Sequence, residues 1–167
     1  MVRRPVLLAF LLVSACGGGG GGPTPPIAAP ARLAATDLDL GPATTSAELL
    51  VSLATTTVPA PVLLEVAVEL PPALTMTANE RLLAVAPVAT LDGDFVSGRF
   101  VVICGDAQNP VAQPLQPGPL FRLRLATAVP RQPGTYTILL RNLRAAASDG
   151  SASAAQTEPT SVKVTIR

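Results

Sequence analysis

The residues of this sequence that could take part in chemistry are two cysteines and two pairs of closely spaced aspartates. The chain of 167 residues contains no histidine, so neither a Ser-His-Asp triad nor a Cys-His pair can be built, and zinc loses its usual nitrogen ligand. Paired carboxylates could still hydrolyse glycosides, and Asp37 and Asp39, at i and i+2 of a strand, would share one face. Because no tryptophan or nearby aromatic ring is available to hold a sugar, we expect no catalytic residue and no cofactor.

Asp92 and Asp94 flank Gly93 and form the second pair of carboxylates. Carboxylates in a turn are oxygen ligands of the kind that calcium prefers, but this segment lacks the alternating acidic series and the distal glutamate of an EF-hand loop. We therefore expect a plain turn at Asp92-Gly93 and no metal site.

Cys16 lies at the end of a leader-like segment. Arg3 and Arg4 precede an uninterrupted apolar run from Val6 to Val13, which is too short to span a bilayer. The sequence Val-Ser-Ala-Cys at 13–16 resembles the lipobox of bacterial lipoproteins. The resemblance implies that residues 1–15 are a signal peptide and that Cys16 is acylated, so the protein is attached to a bacterial membrane outside the cytoplasm.

Two further points concern this anchor. No aspartate follows Cys16, which in a Gram-negative cell is compatible with delivery to the outer membrane. An ordinary secretory signal cleaved after Ala15 remains the alternative.

Cys104 follows the apolar run Val101 to Ile103. Once Cys16 is acylated, an oxidising compartment leaves Cys104 without an intramolecular partner. We expect a buried, inert thiol, since free cysteine packs as a small hydrophobic residue. Intermolecular pairing and a reactive role are the alternatives.

Composition divides the remaining chain into a tether and one domain. Six glycines at 17–22 and the sequence Pro-Thr-Pro-Pro at 23–26 predict a tether over residues 16–30. Residues 31–167 are then long enough for one folded domain. The formal net charge of the full chain is +1, and no polybasic stretch remains, which disfavours nucleic acid and direct binding to anionic lipids.

The domain shows alternating hydrophobicity with a period of two, and helical spacing is nearly absent. Such alternation predicts strands with one buried face. The segments are 47–53, 62–70, 95–104, 121–125, 136–140 and 162–166. Turn residues separate them, among them Asp149-Gly150. We predict an all-β, antiparallel two-sheet β-sandwich of eight or nine strands.

The order of these segments resembles cohesin-like modules and the carbohydrate-binding-module superfamily. The resemblance lies in the strand pair at 47–53 and 62–70, in Pro-Gly-Pro-Leu-Phe-Arg-Leu-Arg-Leu at 117–125, in Thr-Tyr-Thr-Ile-Leu-Leu-Arg-Asn-Leu-Arg-Ala at 135–145, and in Ser-Val-Lys-Val-Thr-Ile at 161–166. It spans most of residues 36–167 and implies a noncatalytic module that docks another extracytoplasmic protein or helps to assemble an envelope complex. A generic immunoglobulin-like sandwich is the alternative fold.

Carbohydrate binding is the alternative function, and a glycoside-active enzyme comes third. Binding of polysaccharide needs exposed rings, whereas alternation places most of Phe95, Phe100, Phe121 and Tyr136 inward. The candidate partner-binding residues lie on the outward parity of their strands. They are Glu65, Glu69, Arg122, Arg124 and Arg141. If their strands share a sheet, these residues form a surface of arginine and carboxylate groups that suits an interface. The alternative is that they simply lie on the solvent-exposed faces of their strands, without a binding role.

Overall fold

The computed structural model describes residues 29–76, 82–85, 88–106 and 112–167. The predicted leader (residues 1–15), the predicted acylation site Cys16 and nearly all of the predicted tether lie outside the described residues. The boundaries at 15 and 30 therefore stay predictions. In the described part of the chain, no helix is long and apolar enough to cross a membrane.

Twelve strands form from the described residues. They are β1 (Arg32–Ala35), β2 (Leu38–Leu40), β3 (Ser46–Thr55), β4 (Leu63–Glu69), β5 (Leu74–Thr75), β6 (Leu82–Ala84), β7 (Thr90–Val96), β8 (Arg99–Gly105), β9 (Gly118–Thr127), β10 (Gly134–Ala146), β11 (Ala152–Ser153) and β12 (Thr160–Ile166). Four of them have only two or three residues. The other eight agree with the number expected from the alternating segments.

The strands form two sheets that enclose the core between them. The five-stranded sheet has the order β1-β3-β9-β5, with β6 also paired to β9. The seven-stranded sheet has the order β2-β12-β10-β4-β8-β7, with β11 paired to β10. Neighbouring strands are antiparallel, except that β2 and β12 run parallel. The prediction of an all-β, two-sheet sandwich is confirmed.

Alternation along the strands decides which side chains fill the core. Leu49, Val51 and Leu53 of β3 are buried, and they face the other sheet, as do the buried residues of β9, among them Leu123. Burying each such side chain stabilises the fold by roughly 1.5 to 3 kcal/mol. The two apolar faces therefore hold the sheets together without a disulfide.

The β7–β8 hairpin corrects two predictions. The segment 95–104 was expected to be one strand, but the chain reverses at Ser97 and Gly98, whose φ angles are 50° and 79°. Two successive positive φ values are what a tight two-residue hairpin turn requires. Asp92-Gly93, expected to be a turn, instead lies inside β7, where Asp92 is opposite Ile103 and Gly93 is opposite Val102.

A β-bulge in β10 changes the face to which its later side chains point. The register against β4 shifts between Arg141 and Arg144, and Asn142 has φ 53°. An extra residue in one strand inverts the alternation beyond it. Leu143 and Ala145 therefore become buried, and Arg144 is directed outward beside Arg141.

Arg131 joins three separate segments at one end of the sandwich. Arg131 lies in the connection between β9 and β10, and its guanidinium donates to the carbonyl oxygens of Thr44 (2.7 Å), Leu40 (3.0 Å), Gly41 (2.7 Å) and Arg167 (2.7 Å from Nη2 and 3.0 Å from Nε). The planar fork of arginine carries five N–H donors. One side chain thus fixes the end of β12 against the β2–β3 turn.

Gly105 allows β8 to pass close to the backbone that precedes β4. A Cβ atom at this position would lie 2.1 Å from the carbonyl oxygen of Val62, the oxygen that accepts a hydrogen bond from the Asp106 N–H. Relief of this clash requires movement of backbone rather than of a flexible side chain.

Gly105→Ala should therefore lower the free energy of unfolding by roughly 3 kcal/mol, or prevent folding. Urea denaturation of the purified protein measures the effect. Gly41→Ala is the matched control, because its Cβ would come no closer than 3.8 Å, to Thr44 Oγ1. Equal denaturation midpoints for the two variants would contradict this account of Gly105.

Candidate functional site

The five predicted partner-binding residues point outward, but they do not lie on one surface. Arg122 and Arg124 belong to β9 in the five-stranded sheet, whereas Glu65, Glu69 and Arg141 belong to β4 and β10 in the seven-stranded sheet. The assumption that the strands of all five residues belong to one sheet is therefore wrong. Alternation gives the face of each strand but not the sheet to which the strand belongs.

Glu69 is the centre of an ion-pair network on the seven-stranded sheet. Its Oε1 lies 2.9 Å from Nε of Arg99, and its Oε2 lies 2.9 Å from Nε of Arg141. The Arg141 Nε–H is not aligned for a hydrogen bond, so that contact is an ion pair only. Because β4 lies between β8 and β10, one carboxylate on β4 holds an arginine from each neighbouring strand.

Glu65 and Arg144 form a looser ion pair further along the same face. Arg144 Nη1 lies 3.6 Å from Glu65 Oε1, and the Arg144 side chain is 78% exposed. Exposed pairs of this kind contribute little stability. Arg144 was absent from the predicted set because alternation without a bulge directs it inward, and Arg99 was absent because the hairpin turn before it was not recognised.

An apolar stripe runs between these charges. Ala67 of β4 is opposite Val101 of β8, and both point to the outer face together with Ile103. At the hairpin end, Val96 is 56% exposed. A groove of about 430 Å³ covers the Ala67 and Val101 part of this stripe, and it is lined by Glu65, Ala67, Val96, Ser97, Arg99, Val101, Asn142 and Arg144. We call this surface the β8 face.

The outer surface of the five-stranded sheet carries a smaller cluster. Glu48 of β3 accepts a hydrogen bond from Arg124 Nη2 (3.1 Å), and its other oxygen lies 3.6 Å from Arg122 Nη1. Glu48 is directly opposite Arg124 in the β3–β9 register. Both predicted arginines of this sheet are thus paired with one carboxylate of the neighbouring strand.

The aspartate pairs make contacts with the protein itself. Asp37 accepts a hydrogen bond from the backbone N–H of Lys163 (2.8 Å), and Asp39 forms an ion pair with Arg167 (2.6 Å). Asp92 and Asp94 accept hydrogen bonds from the N–H groups of Gly93 and Phe95, each at 2.7 Å. Among the described residues, no three of His, Cys, Asp and Glu come together in a way that could hold a metal ion.

Two of the four predicted aromatic residues lie in the core. Phe100 and Phe121 are fully buried, whereas the Tyr136 hydroxyl donates a hydrogen bond to the Gln132 carbonyl (3.1 Å). Phe95 is 51% exposed, and its ring centroid lies 5.2 Å from that of Phe100. The described aromatic residues therefore do not form a flat exposed strip.

Cys104 is fully buried in β8 and forms no disulfide. Burial raises the pKa of its thiol to about 12, because the thiolate would lose its hydration inside the core. The thiol is therefore neutral near pH 7, in agreement with the expectation of a buried cysteine.

No known protein-family profile and no curated protein sequence matches the chain. Several solved structures do match the fold of the chain. The Coh-OlpA module of a type I cohesin–dockerin complex from Clostridium thermocellum has a TM-score of 0.67 at 15% identity, and the match covers 83% of this chain and 100% of that chain. A non-cellulosomal cohesin from the hyperthermophilic archaeon Archaeoglobus fulgidus has a TM-score of 0.59 at 12% identity, covering 81% of this chain and 91% of that chain.

A third similar structure is the cohesin module of a family 33 glycoside hydrolase from Clostridium perfringens. Its TM-score is 0.59 at 12% identity, and the match covers 83% of this chain and 98% of that chain. Of the two sandwich types expected from the sequence, the described domain has the cohesin-like one. At these identities, the comparison establishes the fold.

Cys104 should not react with a water-soluble disulfide reagent in the folded protein near pH 8, and it should react fully in denaturant. The measurement uses the full chain carrying Cys16→Ser, so that Cys104 is the only thiol. Reaction at the same rate with and without denaturant would contradict the burial of this side chain, since only the accessible thiolate is the nucleophile.

Proposed function

We propose that this protein is a noncatalytic docking module, anchored to a bacterial membrane through lipid on Cys16, that binds another extracytoplasmic protein on its β8 face. The observation that carries the proposal is the apolar stripe of Ala67, Val101 and Ile103, bordered by charged residues, on a cohesin-like sandwich. The similar structure from Clostridium thermocellum is a cohesin–dockerin complex, and this similarity supports a protein as the partner.

The composition of the β8 face suits a protein interface. Stable interfaces combine an apolar centre with a polar rim, and they are enriched in arginine. Here the apolar centre lies on β4 and β8, while Arg99, Arg141 and Arg144 stand at its border, and the first two are held by Glu69 at 2.9 Å. An arginine held by a carboxylate loses less conformational freedom when a partner contacts it.

The five-stranded sheet offers a weaker alternative surface. Its outer charges belong to one compact group in which Glu48 pairs with Arg122 and Arg124. The β8 face differs because it also has a groove of about 430 Å³, in which Ala67, Val96 and Val101 lie among charged and polar side chains. We therefore assign docking to the β8 face, and Arg122 and Arg124 leave the proposed partner-binding set.

The predicted tether would join the sandwich near the segment that precedes β12. Ala31 pairs with Ala155 and donates to the carbonyl oxygen of Ala154. A flexible tether over residues 16–30 gives a reach of roughly 20 Å. Such a reach would let the anchored domain turn above the membrane and present the β8 face to a partner.

A noncatalytic role is supported by the chemistry of the side chains. The chain contains no histidine, the Cys104 thiol is buried, and both aspartate pairs contact the protein's own backbone or side chains. Carbohydrate binding remains the alternative function, and a pull-down with insoluble polysaccharide separates it from docking.

A photo-crosslinking side chain at Val101 should capture a protein partner in the native cell, because this residue lies at the centre of the β8 face. The same side chain at Leu50 is the matched control. Leu50 is equally half-buried and points outward from the five-stranded sheet. Mass spectrometry identifies the captured protein, and binding is then measured with both purified proteins.

The expected result is a defined adduct from Val101, binding between the purified proteins, and loss of that binding in Val101→Arg. Equal adducts from both positions, or no binding between the purified proteins, would contradict the assignment of the β8 face. Thermal unfolding of Val101→Arg establishes that the variant is folded.

The lipid anchor is tested separately by mass spectrometry of the native protein. Cleavage before Cys16 and the added mass of acyl chains on its thiol and amine are the expected result. An intact leader, or an unmodified Cys16 thiol, would refute anchoring and leave the docking proposal to its own test. Cys16→Ser should release the protein from the membrane fraction, since two lipid attachments are needed for stable anchoring.

A further inference from the structure

The free edges of the two sheets differ in length. β1 has four residues, β2 and β6 have three each, and β5 has two. β7 has seven residues, and within the described part of the chain no strand pairs with its outer side. A long unpaired edge is a template for pairing with another chain. β7 is therefore the edge that most needs protection.

The surroundings of β7 would favour association if its edge were open. Phe95 is 51% exposed and Val96 is 56% exposed, and both lie at the hairpin end of this strand. An exposed edge with apolar neighbours is a site of edge-to-edge pairing. The strand thus combines the length and the apolar surface that such pairing requires.

The two-residue turn determines which backbone groups point to the free edge. Val96 and Arg99 flank the Ser97-Gly98 turn and are directly opposite each other, so they form the hydrogen-bonded pair next to the turn. Hydrogen-bonded and non-hydrogen-bonded pairs alternate along an antiparallel ladder. The N–H groups of Leu91, Gly93 and Phe95 consequently face away from β8.

The two outward N–H groups nearest the hairpin turn, those of Gly93 and Phe95, are already bonded to side chains. Asp92 Oδ1 accepts from the Gly93 N–H, and Asp94 Oδ1 accepts from the Phe95 N–H, each at 2.7 Å. In both cases the acceptor is the carboxylate of the preceding residue. An incoming strand would have to displace these carboxylates and bring its own carbonyl oxygens beside them.

We propose that Asp92 and Asp94 close the β7 edge, and that without their side-chain acceptors a second copy of this chain pairs with β7. Two β7 strands can meet antiparallel about a twofold axis, each supplying the same surface. This inference concerns the backbone edge of the sheet; Asp92 and Asp94 also lie opposite Ile103 and Val101 of the β8 face, so the test measures self-association and not docking. It assigns the two aspartates a role in keeping copies of the protein apart.

The test compares three forms of the full chain: wild type, Asp92→Ala/Asp94→Ala and Asp92→Asn/Asp94→Asn. Sedimentation velocity over a range of concentrations measures self-association. The alanine variant should self-associate with a dissociation constant at least roughly tenfold lower than that of the wild type, a difference of about 1.4 kcal/mol. The asparagine variant keeps an amide oxygen as acceptor and loses the charge, so it should behave as the wild type.

Amide hydrogen exchange locates the new contact. In the associated alanine variant, the amides of Gly93 and Phe95 should become protected, while on dilution they should exchange faster than in the wild type. Association of the asparagine variant as strong as that of the alanine variant would overturn the proposal, because charge alone would then guard the edge. A folded alanine variant with unchanged association, or with protection away from β7, would also overturn it.

Single variants keep the test decisive if the double variant fails to fold. Asp92→Ala should accelerate exchange at Gly93 without affecting Phe95, and Asp94→Ala should do the reverse. Unchanged exchange at both amides would show that the carboxylates do not occupy these donors, and the proposal would fail.

Discussion

β4 is the strand on which the rest of the structure depends. It lies between β10 and β8, and it buries Leu64, Val66 and Val68 in the core. Because side chains alternate strictly, this burial directs Glu65, Ala67 and Glu69 to the opposite face. A slip of one residue would place two carboxylates in the core, at a cost far greater than any surface pairing returns. The core therefore fixes the β8 face.

The sequence predicted the strands in which alternation is unbroken. β3 and β12 bury every second residue, as does β9 from Phe121 to Leu125, and these buried residues follow from the alternation of hydrophobicity. Asp149-Gly150 was also predicted as a turn, and it joins β10 to β11, where Asp149 accepts from the Ser151 N–H at 2.9 Å. These features depend on local chemistry, which a single sequence contains.

The remaining features depend on contacts between distant segments. Strict alternation directs Asn142 and Arg144 inward, until the register of β10 against β4 requires a bulge at Asn142, and Arg144 then joins the outer face. Ser97-Gly98 competes as a turn with Asp92-Gly93, and only the pairing of β7 with β8 decides between them. The division of the five candidate residues between two sheets follows from strand order, about which alternation says nothing. The site was therefore predicted in its residue types but not in its grouping.

The parallel pairing of β2 with β12 has a mechanical consequence. Leu38 is opposite Val164, and Leu40 is opposite Ile166, while Arg131 ties Arg167 to the segment that follows β2. The chain enters the sandwich near Ala155 and leaves it at the opposite end of β12. A pulling force applied between Ala31 and Arg167 would therefore run along these strands. It would load their hydrogen bonds together in shear instead of opening them one after another.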